Sequence, residues 1–186
     1  MDRWGKKRRI MRCYDVTARI YDMRYAEEQT AKIKAALKNM KLTKRNYALD
    51  VGCGTGILFN YVADRVNNIV GLDISKKMLA KARDNAHNSQ NICLVAADAD
   101  NMPFRDSSFE RVFAFTLIQN MPSPVRTLKE IERVAAQNAL FVITGMKKSF
   151  SKEDFKKLLD NAGLRIVDLE EEDLKCYVAV CIRIFH

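Results

Sequence analysis

Glycine and proline are scarce, at seven and three in a chain of 186 residues, which excludes a collagenous or low-complexity segment. Five cysteines (Cys13, Cys53, Cys93, Cys176, Cys181) occur without a C-x-x-C pair, and the two histidines, His87 and His186, are too few to complete a zinc set. Neither disulfides nor a metal is expected to hold this fold. No run reaches the ~18 apolar residues of a membrane helix, and the basic stretch Met1 to Arg9 is not followed by the apolar run of a signal peptide. A cytoplasmic protein without membrane contact is expected. What is present, 48% hydrophobic and 30% charged residues, is the composition of a folded monomer with one real core.

The net charge of +9 is unevenly placed. Residues 1 to 45 hold 14 Lys/Arg against five acids, whereas the remainder balances at 18 of each. A local cationic surface attracts polyanions, because neutralised phosphates release their counterions on binding. Lys6, Lys7, Arg8, Arg9 and Arg12 are therefore candidate contacts to RNA, with Tyr14 and Tyr25 as aromatic surfaces for an unpaired base. A solvated basic helix and buried tyrosines are the plainer readings of the same residues.

Periodicity divides the chain again. Ile20, Met23, Ala26, Thr30, Ile33 and Leu37 recur at three- and four-residue steps, which predicts two helices between Tyr14 and Met40, broken near Asp22 to Tyr25. Short apolar runs then appear at 47–51, 68–73, 92–96, 111–115 and 140–143, as expected of strands covered on both faces. Helical periods fall between them at about 56–66, 76–88, 123–136 and 151–161. The alternation predicts an α/β fold, a doubly wound and mostly parallel sheet with right-handed crossovers. Two further strands at 164–169 and 176–185 are joined by an acidic turn too short for a crossover helix, so they should pair antiparallel, giving seven strands. Residues 1–45 read as a basic helical extension, and residues 46–186 as one compact unit.

The first strand ends in Asp50-Val51-Gly52-Cys53-Gly54-Thr55-Gly56 and runs into a helix. Glycines there let the backbone turn tightly and a ligand approach closely. Asp73 ends the second strand 17 residues after Gly56, near the spacing at which an acid meets ribose hydroxyls. The combination points to an adenosine-type ligand at the carboxyl edge of the sheet.

This element resembles the Asp/Glu-x-Gly-x-Gly-x-Gly motif of class I S-adenosylmethionine-dependent methyltransferases. The likeness continues through Gly71 to Ala82 and Ala97 to Glu110, and covers about residues 12 to 186. It implies a Rossmann-like methyltransferase fold and S-adenosylmethionine as cofactor, with S-adenosylhomocysteine as product. By that resemblance Asp50, Gly52 and Gly54 hold the methionine portion, Asp73 the ribose, Ile74 and Met78 the adenine faces, and Asp98 with Ala99 the adenine edge. Cys53 and Thr116 complete the wall, and Tyr21 touches the cofactor carboxylate with Arg24 as helper.

Sulfonium methyl transfer needs alignment and exclusion of water more than a strong base. After the fourth strand, Phe115 to Pro122 departs from the Asn/Asp-Pro-Pro-Tyr of amine-modifying relatives, leaving Gln119 and Asn120 as the catalytic candidates that can accept amine hydrogens. Asn120 also suits a turn. No Pro-Cys pair stands there for pyrimidine carbon chemistry. A looser likeness, carried by the Tyr-Asp-rich helices before an uninterrupted core, is to small archaeal enzymes methylating a cytidine amine of ribosomal RNA. The expectation is a methyltransferase acting on a base nitrogen of ribosomal or transfer RNA, free or in a ribosomal subunit. The alternatives are a quinone- or metabolite-type methyltransferase and a non-catalytic cofactor-binding factor on a ribonucleoprotein.

Overall fold

In the computed structural model, which describes residues 2–38, 40–86 and 89–184, the apolar runs form one sheet. Its strands are β1 (Tyr47–Val51), β2 (Asn68–Asp73), β3 (Ile92–Ala96), β4 (Phe109–Ala114), β5 (Ala135–Met146), β6 (Leu164–Glu170) and β7 (Cys176–Arg183), in the order β3-β2-β1-β4-β5-β7-β6. Pairs from β3 to β5 are parallel, and β7 runs antiparallel between β5 and β6. Both histidines, and Phe185 at the end of the last expected strand, lie outside the described residues.

Side chains alternate across the sheet with the two-residue period of a pleated strand. Phe141 and Ile143 join Leu49, Val112, Leu128 and Phe155 on one face, while Val142 joins Ala48, Phe113, Phe59 and Ile33 on the other. Helices α5 (Pro124–Val134) and α6 (Lys152–Asp160) cover the first face. The second is covered by α2 (Tyr21–Leu37), the single turn α3 (Phe59–Val62) and α4 (Lys76–Asn85).

Four boundaries differ from expectation. Helix α1 (Arg3–Thr17) begins well before Tyr14, where Asp2 caps it by accepting from Gly5 N at 2.6 Å, and the break to α2 falls at 18–20. There Ala18 is buried, and the Thr17 hydroxyl donates back to the Cys13 carbonyl at 3.0 Å. The helix expected at 56–66 shrinks to α3 and a 3-10 turn at Ala63–Arg65. The Phe59 ring lies so close under the preceding loop that a Cβ on Gly56 would stand 2.5 Å from it. Strand β5 starts five residues early because Ala135, directly after α5, already pairs with Phe109.

Candidate functional site

The carboxyl ends of β1, β2 and β4 meet below helix α1. After β1 the chain turns at Gly52 (φ +76°) and Gly54 (φ +56°), and the amides of Gly52 and Cys53 both donate to the Leu72 carbonyl, at 2.7 and 3.0 Å. A Cβ on Gly54 would meet nothing within 4 Å, so this backbone faces open space. At the tip of β2, Asp73 accepts from Gly54 N at 2.9 Å and from Ser75 N at 2.8 Å. These bonds fix its carboxylate against the glycine loop. Ser75 caps α4 by accepting from Met78 N at 3.1 Å, which carries Met78 to the same cavity.

That cavity encloses about 730 Å³ of atom-free space, part of it open to solvent. It brings together Tyr14, Tyr21, Gly52, Gly54, Asp73, Ile74, Met78, Asp98, Ala99, Thr116 and Asn120 from the expected set. Asp50 and Cys53 line a neighbouring cavity of about 370 Å³, which also borders Tyr21, Gly52 and Gly54. Burial beside Asp73 pushes the Asp50 carboxyl up to about 8, and burial raises Asp73 as well, against its backbone hydrogen bonds. Burial also drives the Cys53 thiol well above its ordinary range, so a packing role fits it and a thiolate nucleophile does not. Burial raises Tyr14 and Tyr21 too, keeping both phenols protonated.

An open groove of about 1450 Å³ adjoins the first cavity. Tyr14, Tyr21, Thr116 and Asn120 line both, and Gln119 and Tyr25 line the groove alone. Thr116 is a β-branched residue at φ +56°, a conformation that persists only where its surroundings over-determine it. Its amide donates to Thr144 Oγ1 at 2.7 Å, its carbonyl accepts from Asn120 Nδ2 at 2.9 Å, and its hydroxyl lies 3.1 Å from Gln29 Nε2 and 3.3 Å from Lys32 Nζ. Asn120 Nδ2 also donates to the Tyr14 hydroxyl at 2.9 Å, which turns its amide oxygen to other use.

The basic residues of α1 divide in a way the sequence did not anticipate. Lys7, expected on the RNA-facing surface, is 7% exposed and lines the cavity. Its ammonium lies 2.7 Å from Asp98 and 2.5 Å from Asp100, so its charge is consumed inside the protein and that assignment is corrected. It also occupies both oxygens of Asp98, the residue expected at the adenine edge. Lys6, Arg8, Arg9 and Arg12 are exposed and line none of the three cavities, and Lys6 donates to the Met121 carbonyl at 3.2 Å.

Glu28, Gln29 and Lys32 on α2 escaped the sequence reading. Lys32 is fully buried, 2.6 Å from Glu28, and its two neighbours line the groove. The available signal was Gln29 and Lys32, each four positions before a buried apolar residue, Ile33 and Ala36, and so on the buried helix face.

The donor set fits an adenosyl sulfonium. Asp73 offers acceptors to vicinal hydroxyls, Ile74 and Met78 offer apolar walls to a flat base, and buried Asp50 beside the bare loop suits an amino group.

The chain is similar to known proteins in sequence and in fold. The methyltransferase domain family model matches residues 49–143. An uncharacterized protein of Methanocaldococcus jannaschii is 30% identical over 161 residues, covering 82% of this chain and 61% of that one. Demethylmenaquinone methyltransferase of Staphylococcus carnosus is 35% identical over 112 residues, 59% of this chain and 46% of that enzyme. The chain thus spans less than two thirds of the length of these curated relatives. Among solved structures, the protein in complex with the Haloferax volcanii Trm112 methyltransferase activator superposes with a TM-score of 0.82 at 18% identity, covering 93% of this chain and 96% of that one. At that identity the likeness is one of fold.

Proposed function

The chain belongs to the methyltransferase domain family, and from that premise we propose that it transfers a methyl group from S-adenosylmethionine to a base nitrogen of RNA, such as the cytidine exocyclic amine. One observation carries the reading: the cavity lined by Asp73, Ile74 and Met78 and the open groove share a boundary made by Tyr14, Tyr21, Thr116 and Asn120. A donor in the cavity and an acceptor in the groove would meet at that boundary, where alignment is most of what displacement needs. When bound, S-adenosylmethionine supplies an electrophilic methyl group. Asp73 accepts from the ribose hydroxyls, Asp50 receives the amino group, and Ile74 with Met78 encloses the base. Asn120, its NH2 committed to Tyr14 and Thr116, accepts the acceptor's N–H through its free oxygen and aims the nitrogen lone pair at the cavity. Tyr14 and Tyr21, both neutral, exclude water from the shared wall. Helices α1 and α2 act as the lid, tied to the site by Lys7 to Asp98, by Asp15 to Ser75 Oγ at 2.5 Å and by Asp22 to Thr55 Oγ1 at 2.6 Å.

RNA is favoured as acceptor by the exposed cations of α1 and the openness of the groove. The test is incubation with methyl-labelled cofactor and total RNA from a strain lacking the protein, followed by nucleoside mass analysis. Label in one modified nucleoside is the expected result, and RNA that stays unlabelled sinks the acceptor assignment. A second reading, a small-molecule acceptor, draws on the likeness to demethylmenaquinone methyltransferase. It predicts label in the organic or small-molecule extract of the same cells.

A further inference from the structure

The site described above leaves three lysines of the groove without a task. Lys147 and Lys148 leave the end of β5, and Lys175 immediately precedes β7. Because β5 and β7 are antiparallel, with Met146 opposite Cys176, the start of β7 arrives at the edge where β5 ends. A parallel neighbour would begin at the far edge of the sheet. The Lys147 amide donates to the Lys175 carbonyl at 3.1 Å, which fastens the lysine-bearing backbones side by side.

All three lysines are exposed. Among the described residues lining the groove, Glu28 is the one acid; it lies 3.4 Å from Lys175 and is already paired with buried Lys32 at 2.6 Å. Lys147 donates to the Glu171 carbonyl and stands 5.8 Å over the Tyr177 ring, and the Glu171 carboxylate within its electrostatic reach is already paired with Lys152. The groove is therefore cationic along this rim. The other rim is aromatic: Tyr21 lies 6.1 Å from Tyr14 and 5.0 Å from Tyr25, centroid to centroid. In the wall stands Gln119, whose amide oxygen and nitrogen are both buried without a hydrogen-bond partner. Native structures rarely keep such a group unless something completes it.

We propose that the groove holds one nucleotide unit of the acceptor, with Lys147, Lys148 and Lys175 on its phosphate, the tyrosines against its base, and Gln119 turning to pair with the base edge. The proposal rests on the methyl-transfer reading above and names the acceptor's recognition elements. A carboxamide presents a donor beside an acceptor, the complement of the N–H and C=O pattern on nucleobase edges, while ammonium groups match phosphate oxygens as point charges. Phosphate recognition then belongs to the β5–β7 edge, and the exposed arginines of α1 contribute only long-range attraction. The same chemistry fits a free mononucleotide or a residue within RNA.

Calorimetric titration of the protein saturated with S-adenosylhomocysteine tests this, using CMP, UMP, AMP, GMP and the matching nucleosides as probes. At least one monophosphate should bind about tenfold or more tightly than its nucleoside, the effect of losing one charge-assisted contact. Lys148→Ala/Lys175→Ala should erase that advantage with S-adenosylhomocysteine affinity unchanged, and Gln119→Leu should flatten the preference among bases. Nucleosides binding as well as monophosphates, no monophosphate binding at millimolar concentration, or lysine variants without effect would each overturn the proposal. RNA that is methylated equally by the lysine variants removes the groove assignment and leaves the proposed function standing. Monophosphates that bind as described while RNA stays unlabelled retain the groove and point to a free nucleotide.

Discussion

The Lys7 ammonium lies between Asp98 and Asp100, at 2.7 and 2.5 Å, and so pins helix α1 to the loop after β3 across more than ninety residues of sequence. Asp100 also accepts from the Thr127 hydroxyl at 2.5 Å, so the pin reaches α5. With all three side chains largely buried, removal of the cation leaves two carboxylates facing one another. Lys7→Met should cost about 3 kcal/mol in denaturant unfolding and speed the release of S-adenosylhomocysteine. A loss below about 1 kcal/mol, the range of a surface ion pair, would mean that the ammonium does not carry this contact.

Gly54 and Gly56 differ in what surrounds them, and alanine at each should fail in a different assay. At Gly54 an added methyl enters open space in the cavity, so Gly54→Ala should cost only about 1 kcal/mol of stability for its positive φ yet abolish cofactor binding by calorimetry. At Gly56 the methyl meets the Phe59 ring at 2.5 Å, and Gly56→Ala should unfold more readily than Gly54→Ala. Equal cofactor affinity in Gly54→Ala and the parent protein would show that the ligand does not approach this loop.

A carboxyl raised to about 8 gives stability a definite pH dependence. From about pH 4, where an unfolded aspartate ionises, to about pH 8, the folded chain holds a proton on Asp50 that the unfolded chain has released. Unfolding free energy should therefore fall as pH rises through that window, with Asp73 adding a contribution of the same sign. Asp50→Asn should flatten the slope, read from urea melts of the ligand-free protein. An unchanged slope would refute the burial of an ionisable group at this position.

Thr116 combines strain with dense bonding, and two substitutions separate the parts. Thr116→Val keeps the strained φ and removes the hydroxyl beside Gln29 and buried Lys32, at an expected cost of about 1–3 kcal/mol. Thr116→Gly loses the same bonds but relaxes the backbone, so it should be about 1 kcal/mol less damaging than valine. The reverse order in thermal melts would remove the case for strain.

The sheet was legible because its central strands are largely apolar on both faces, which leaves runs such as Val112 to Phe115 and Phe141 to Ile143 that read as buried from either side. The turn at the glycine loop and the place of Asp73 were legible because glycines after one apolar run mark a tight turn and the next run ends in an acid. The groove was not. Its lysines come from 147–148 and 175, and only the antiparallel pairing of β5 with β7 joins them. Lys7 misled for a related reason: its run of cations looks uniform in sequence, yet a helix turns each residue 100° from the last, and Lys7 alone points inward among Lys6 to Arg9. Lys32 was opaque because a buried lysine declares itself only when its partners, Glu28 and Thr116, are seen around it.

The placement of β7 between β5 and β6 also bears on how the chain is made. Strand β5 has an open flank of backbone donors and acceptors until residues 176–183 have been translated, so the nascent protein carries an unpaired sheet margin while residues 147–175 are added. Closure of that margin waits on β7, and a chain cut short just before Cys176 would be prone to stick to other strands.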